Sequence, residues 1–124
     1  MKFREFETKS GKQVLAGKSA ANNEKLVEQI EKEETVLHTK KPGSPFTNIK
    51  GKATKKDIKE AAIFCAKYSQ DWRDNKGDVV VHVFKGKEVY KRKGMKLGTF
   101  GVRNFKKIIV KKKEIQNLIK KEKL

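Results

Sequence analysis

The chain has 124 residues, 38% charged and 35% hydrophobic, and its 32 lysines and arginines against 15 acids leave a net charge of +17. That length corresponds to one domain with one core. A single cysteine excludes an internal disulfide, no Cys/His cluster has metal-ligand spacing, and no apolar run reaches the ~18–20 residues of a membrane span. The N-terminus enters an alternating pattern without a signal-peptide core, so a cytoplasmic protein with no cofactor and no membrane contact is expected. The apolar residues recur in periodic blocks, which a disordered chain of this charge lacks.

Residues 3–17 read as a β-hairpin. Phe3 and Phe6 open it, Lys9-Ser10-Gly11-Lys12 turns it, and Gln13-Val14-Leu15-Ala16 returns. Ser19, Asn22 or Asn23 is placed to cap a short helix over roughly 23–33, with Leu26, Val27 and Ile30 on one face. From Glu24 to Glu34 there are five Glu against two Lys, the acidic stretch of the chain. Thr35 to Thr39 is a strand rich in β-branched residues, Pro42-Gly43-Ser44-Pro45 is a turn, and Phe46 to Ile49 pairs back.

Thr54 and Asp57 have capping-box spacing, and Ile58, Ala61, Ala62, Cys65, Tyr68, Ser69 and Trp72 keep helical spacing over four turns. Asn75-Lys76-Gly77-Asp78 ends that helix, and Val79 to Phe84 is apolar on both faces, as a central strand is. Thr99 to Val102 and Lys107 to Val110 read as two strands joined by a turn at Arg103-Asn104. Residues 111–124 form a basic helix with Ile115, Leu118 and Ile119 on one side. The order predicts a single α+β domain, a largely antiparallel sheet packed with two to three helices, its core within about 3–110.

The charge is segregated. Residues 85–113 hold twelve basic residues and one acid, Glu88, and the last 40 residues carry +12 of the total. Lys85, Lys87, Lys91, Arg92, Lys93 and Lys96 flank glycines at 86, 94 and 98, a basic loop whose backbone can approach phosphate closely. Arg103, Lys106 and Lys107 lie by a turn at the other end of the same hairpin. Lysines serving solubility alone gain more from being spread out, so the clustering points to one surface for a polyanion. Neutralising five to eight phosphates of a single strand implies a slope of log affinity against log salt of roughly −4 to −6. Phe3, Phe6, Phe64, Phe84 and Trp72 fall where a core needs them. Tyr90, Phe100 and Phe105 lie within the basic region and are the candidates for stacking on unpaired bases.

No enzyme is expected. His38 and His82 each sit in a strand, Ser44 lacks a nucleophile elbow, Cys65 falls on the apolar face of its helix, and Gly17-Lys18-Ser19 lacks the preceding glycines of a P-loop.

The order Phe6…Ser10-Gly11, Val14-Leu15-Ala16-Gly17-Lys18, Asn22-Asn23-Glu24, Leu37-His38-Thr39, Pro42-Gly43-Ser44 and an alanine-bearing helix ending in Tyr68-Ser69 resembles the NFACT RNA-binding domain. Val89 to Gly98 is similar to that family's lysine-rich stretch, and the resemblance spans roughly residues 3–110. It departs at Pro45, where the family has His, and at Leu97, where it has Pro. The resemblance implies a non-catalytic α+β domain binding tRNA or rRNA. Such domains end long proteins of ribosome quality control and fibronectin-binding-protein-A-like proteins; the expectation here is a stand-alone version or a part of such a protein, and the large ribosomal subunit is a further implied partner. Positions matching the family are Lys18, Asn22, His38, Gly43, Ser44, Lys91, Lys93, Lys96 and Gly98. With the charge pattern, the expected RNA-binding set is Lys18, His38, Lys40, Lys41, Ser44, Lys91, Arg92, Lys93, Lys96, Arg103, Lys106 and Lys107. The rival reading is an adaptor whose basic surface docks on an acidic or ribosomal protein partner; a third is a small hydrolase or lyase using His38.

Overall fold

The computed structural model describes residues 2–123. Six strands form one sheet in the order β1 (Arg4–Glu7), β2 (Gln13–Ala16), β4 (Thr47–Ile49), β3 (Thr35–Thr39), β5 (Val79–Lys85) and β8 (Lys106–Val110), every neighbour antiparallel. Between β5 and β8 the chain leaves the sheet as an arm, a 3-10 turn followed by a ribbon of β6 (Val89–Tyr90) and β7 (Gly101–Val102). Four helices complete the α+β domain: α1 (Ala20–Glu28), α2 (Lys55–Lys67), α3 (Gln70–Asn75) and α4 (Lys112–Glu122).

Because side chains alternate along a strand, the sheet has two apolar faces. On one, Val14, Leu37, Ile49, Val81 and Val110 meet α2 through Ala61, Ala62 and Cys65, small residues that let the helix lie close. Ile115 of α4 is fully buried in the same cluster. On the other face Val36, Phe46 and Phe84 meet Leu26 of α1, and Phe100 and Val102 of the arm pack against them. Each such side chain taken out of water contributes about 1.5–3 kcal/mol, so the arm is bound to the domain by its own core residues.

The expected hairpin 3–17, the strands at 35–39 and 46–49, the Thr54/Asp57 capping box and the central strand at 79–84 all form. Four expectations are corrected. The first helix starts at Ala20 and stops at Glu28, because Ser19 is its cap: its side chain accepts the Asn22 N–H at 3.1 Å. The long helix does not run through Trp72. Ser69 accepts the Trp72 N–H at 3.1 Å and starts α3 afresh, which raises the helix count to four. The strands flanking Arg103-Asn104 do not pair with each other: β8 pairs with β5, and β7 with β6, since Phe100 and Val102 are drawn to the α1 face. The core also extends past residue 110, to Ile115.

Ser69 is fully buried and also donates to the Ala66 carbonyl at 2.7 Å. Ser69→Ala is therefore expected to cost about 1–2 kcal/mol, read as a lower urea midpoint at unchanged slope. An unmoved midpoint would mean that the break between α2 and α3 does not depend on this cap.

Candidate nucleic-acid interface

The arm is fixed by one carboxylate. Glu24, on α1, accepts from Lys91 Nζ and from the Gly98 N–H, both at 2.6 Å. Lys91 donates also to the carbonyls of Lys96 (2.6 Å) and Thr99 (2.8 Å), and its ammonium lies 4.6 Å from the Phe100 ring centre. At Gly98, φ is +79° and a Cβ would come within 2.6 Å of Ala20 Cα, so glycine alone lets the loop close onto the start of α1. The hydrogen bonds from Lys91 and Gly98 hold the Glu24 carboxyl below its ordinary value.

The acidic stretch therefore serves as an internal docking partner. Glu33 pairs with Lys87 at 3.2 Å, and Glu34 accepts from Lys50 Nζ (2.8 Å) and from the Gly51 and Glu31 N–H groups (2.9 Å each). Burial alone would raise the Glu34 carboxyl; Lys50 and the two backbone donors outweigh it, and the group is held low.

Where the arm crosses the sheet it encloses a cleft of about 530 Å³. Its floor is a cross-strand pair, His38 of β3 opposite His82 of β5. The Phe105 ring stacks on His82 with centres 4.0 Å apart and planes 19° apart; Phe46 lies 4.6 Å from His38, and Phe100 meets Phe46 edge-on at 5.3 Å. His38 Nδ1 is 2.8 Å from the Thr39 carbonyl oxygen, which can only accept, so this nitrogen carries the proton in the neutral ring. Among the described residues, His82 Nε2 is the buried side-chain polar atom without a hydrogen-bond partner. Burial lowers the pKa of both imidazoles, and Lys107 and Lys40 push His82 further down, so the floor is uncharged at neutral pH.

The structure separates the expected residues into groups. His38, Lys40 and Ser44 line the cleft, and Lys107 is the cross-strand neighbour of His82 on β8. Ser44 is buried, its Oγ accepting the Thr39 N–H at 3.0 Å, and so shapes the turn. Lys106 alternates to the opposite sheet face from Lys107, and Lys41 is drawn to Asp71 of α3 at 3.4 Å. Lys91 belongs to the arm's anchor. Among the described residues Lys18, Arg92, Lys93, Lys96 and Arg103 have no carboxylate within ion-pair distance; all five are exposed. Arg92 and Arg103 both lie over Tyr90, at 5.0 and 4.9 Å.

The cationic C-terminal third does not form one surface. The arm covers the α1 face, whereas α4 packs on α2 across the sheet, with Lys67 bonded to Glu122 and Lys59 to Glu114. Residues missed from sequence are His82, Phe46, Asn23 and Leu97, all lining the cleft. The sequence places His82 in a strand, but its position opposite His38 follows from the β3–β5 register alone.

Lys91→Ala is expected to lower the melting temperature and speed hydrogen exchange at the Gly98 amide, while Lys93→Ala leaves both unchanged; equal behaviour of the two would remove Lys91 from the anchor. Both imidazole pKa values are depressed by folding, so below about pH 6.5 the unfolded chain takes up protons that the folded one refuses. Stability should fall between pH 7.5 and 5.5, and the fall should shrink in His82→Gln; a pH-independent melt across that window would contradict the assignment.

No curated protein matches this chain. Among solved structures, the C-terminal part of the fibronectin/fibrinogen-binding protein from Streptococcus suis superposes with a TM-score of 0.82 at 22% identity, covering 94% of this chain and 49% of that one. The chain thus spans about half of that structure, and the likeness is one of fold. The family model described as the NFACT protein RNA binding domain matches residues 2–104, which takes in the sheet up to β5, α1 to α3 and the whole arm. The chain belongs to the NFACT RNA-binding domain family.

Proposed function

We propose that this domain is a non-catalytic, cytoplasmic module that grips tRNA or rRNA in ribosome-associated quality control, with the large ribosomal subunit as its wider partner. The observation that carries this reading is the cleft between the arm and the sheet, an aromatic and imidazole floor with Lys40 in its wall and Lys107 beside His82, next to an arm whose exposed Arg92, Lys93 and Lys96 have no carboxylate partner among the described residues. Phosphates draw the strand in through Lys40, Lys107 and the arm's Arg92, Lys93 and Lys96, and the floor supplies contacts that a bare cationic surface lacks. The candidate nucleophiles do not fit catalysis. Burial pushes the Cys65 thiol up to about 11, so it stays protonated, and Ser44 is committed to the turn backbone.

Fluorescence anisotropy with labelled tRNA tests this. Five to seven phosphate contacts at ~0.7 ions each predict a salt slope of about −4 to −5. The triple change Arg92→Glu, Lys93→Glu, Lys96→Glu should weaken binding about tenfold or more with an unchanged melt. Lys91 is left intact, because it anchors the arm. Undiminished binding defeats the assignment of the arm. Capture of a protein partner that survives RNase digestion would favour the adaptor reading instead.

A further inference from the structure

Three large hydrophobic side chains are exposed among the described residues: Leu97 (61%), Ile109 (53%) and Phe105 (44%). They are not scattered. Leu97 and Phe105 line the cleft, and Ile109 lies two residues from Lys107, on the same face of β8. Apolar groups gathered beside cations make a platform for flat, charged-backbone ligands, and contribute nothing to solubility.

We propose that the cleft takes a single unpaired nucleobase of single-stranded RNA, stacked on the face of Phe105 turned away from His82 and clamped by Leu97, with its flanking phosphates on Lys40 and Lys107. The inference rests on the RNA-binding reading above and adds the kind of RNA and the ring that stacks on it.

Phe105 is the aromatic ring free to do this. Its contact with His82 holds the ring in orientation while the side chain remains substantially exposed. The other two candidates are occupied. Tyr90 is flanked by Arg92 and Arg103 and packed over Gly101, where a Cβ would lie 2.0 Å from its ring. Phe100 is held edge-on to Phe46, under Lys91. The volume of about 530 Å³ falls within the range of pockets that enclose one small planar ligand. A duplex keeps its bases stacked and offers none to such a cleft, so loops, bulges and ends are selected.

The test compares a short oligoadenylate with an abasic oligomer of equal length and charge. The wild-type domain should prefer the base-bearing strand by about tenfold, and Phe105→Ala should remove that preference without changing the salt slope or binding to the abasic strand. Phe105→Trp should keep the preference and report the contact directly, its indole fluorescence quenched by oligoadenylate and not by the abasic strand; Trp72 is buried and gives a constant background. If Phe105→Ala binds both strands as the wild type does, or the indole is not quenched, the base site is wrong while the RNA reading stands. If the wild-type domain binds neither strand nor tRNA, it is the RNA reading that fails.

Discussion

The Glu24 carboxylate is the constraint from which the rest of the interface follows. A chain with net charge +17 repels itself, and the arm between β5 and β8 holds some of its densest positive charge. Placing one acid on α1 within 2.6 Å of Lys91 Nζ and the Gly98 N–H turns part of that repulsion into attachment. The attachment consumes Lys91 and leaves Arg92, Lys93 and Lys96 exposed, with no carboxylate partner among the described residues. Segregation of charge along the chain thus has two components: an acidic stretch that docks the arm, and a basic remainder that the docked arm displays. Counting charge in the sequence does not separate them.

The sheet divides the labour in the same way. Its α2 face is closed by apolar packing, and α4 seals it with Ile115. Its α1 face is closed at one end by Leu26 and Phe84 and left open at the other, where His38, His82 and Phe105 meet. β8 is an edge strand, and its successive lysines, Lys106 and Lys107, face opposite ways. Charged side chains on an edge discourage pairing with another chain. Lys106 has that protective value on the α2 face, whereas Lys107 lies beside the cleft; the pleat separates two adjacent, identical residues by function.

Much of the fold was legible because local chemistry and tertiary packing agree. The turn at Gly11, the capping box of Thr54 and Asp57, the β-branched run of β3 and the run of β5 that is apolar on both faces each point to the element that forms. Legibility fails where a residue has two plausible uses. Ser69 lies on the apolar stripe of α2 and continues the helical spacing, yet its hydroxyl ends that helix and begins the next. Residues 99–102 look like the partner of 107–110 because they are close in sequence; the pairing is decided instead by where Phe100 and Val102 are buried, a long-range fact. Of the site residues, His38 and Lys40 were found by motif and charge, whereas His82 became visible only through its register with His38. Lys91 matched the basic motif and fills an internal role, since a motif records a residue type and not where its ammonium goes.

Cations and cleft contribute different kinds of binding. Exposed lysines and arginines bind any phosphate chain, with an affinity set by salt and no discrimination. Discrimination needs groups at fixed positions, and the hydrogen-bonded strands β3 and β5 hold His38 and His82 in register. The departures from the family pattern fall at this same place. Pro45 is buried, where the resemblance puts a histidine, and the second imidazole of the cleft is supplied by β5 at His82; Leu97 replaces a proline and stands exposed at the cleft beside Phe105. In this chain the anchored arm and the cleft lining are thus separate elements: Glu24, Lys91 and Gly98 hold the arm, and Leu97, Phe100 and Phe105 line the cleft over the histidine pair.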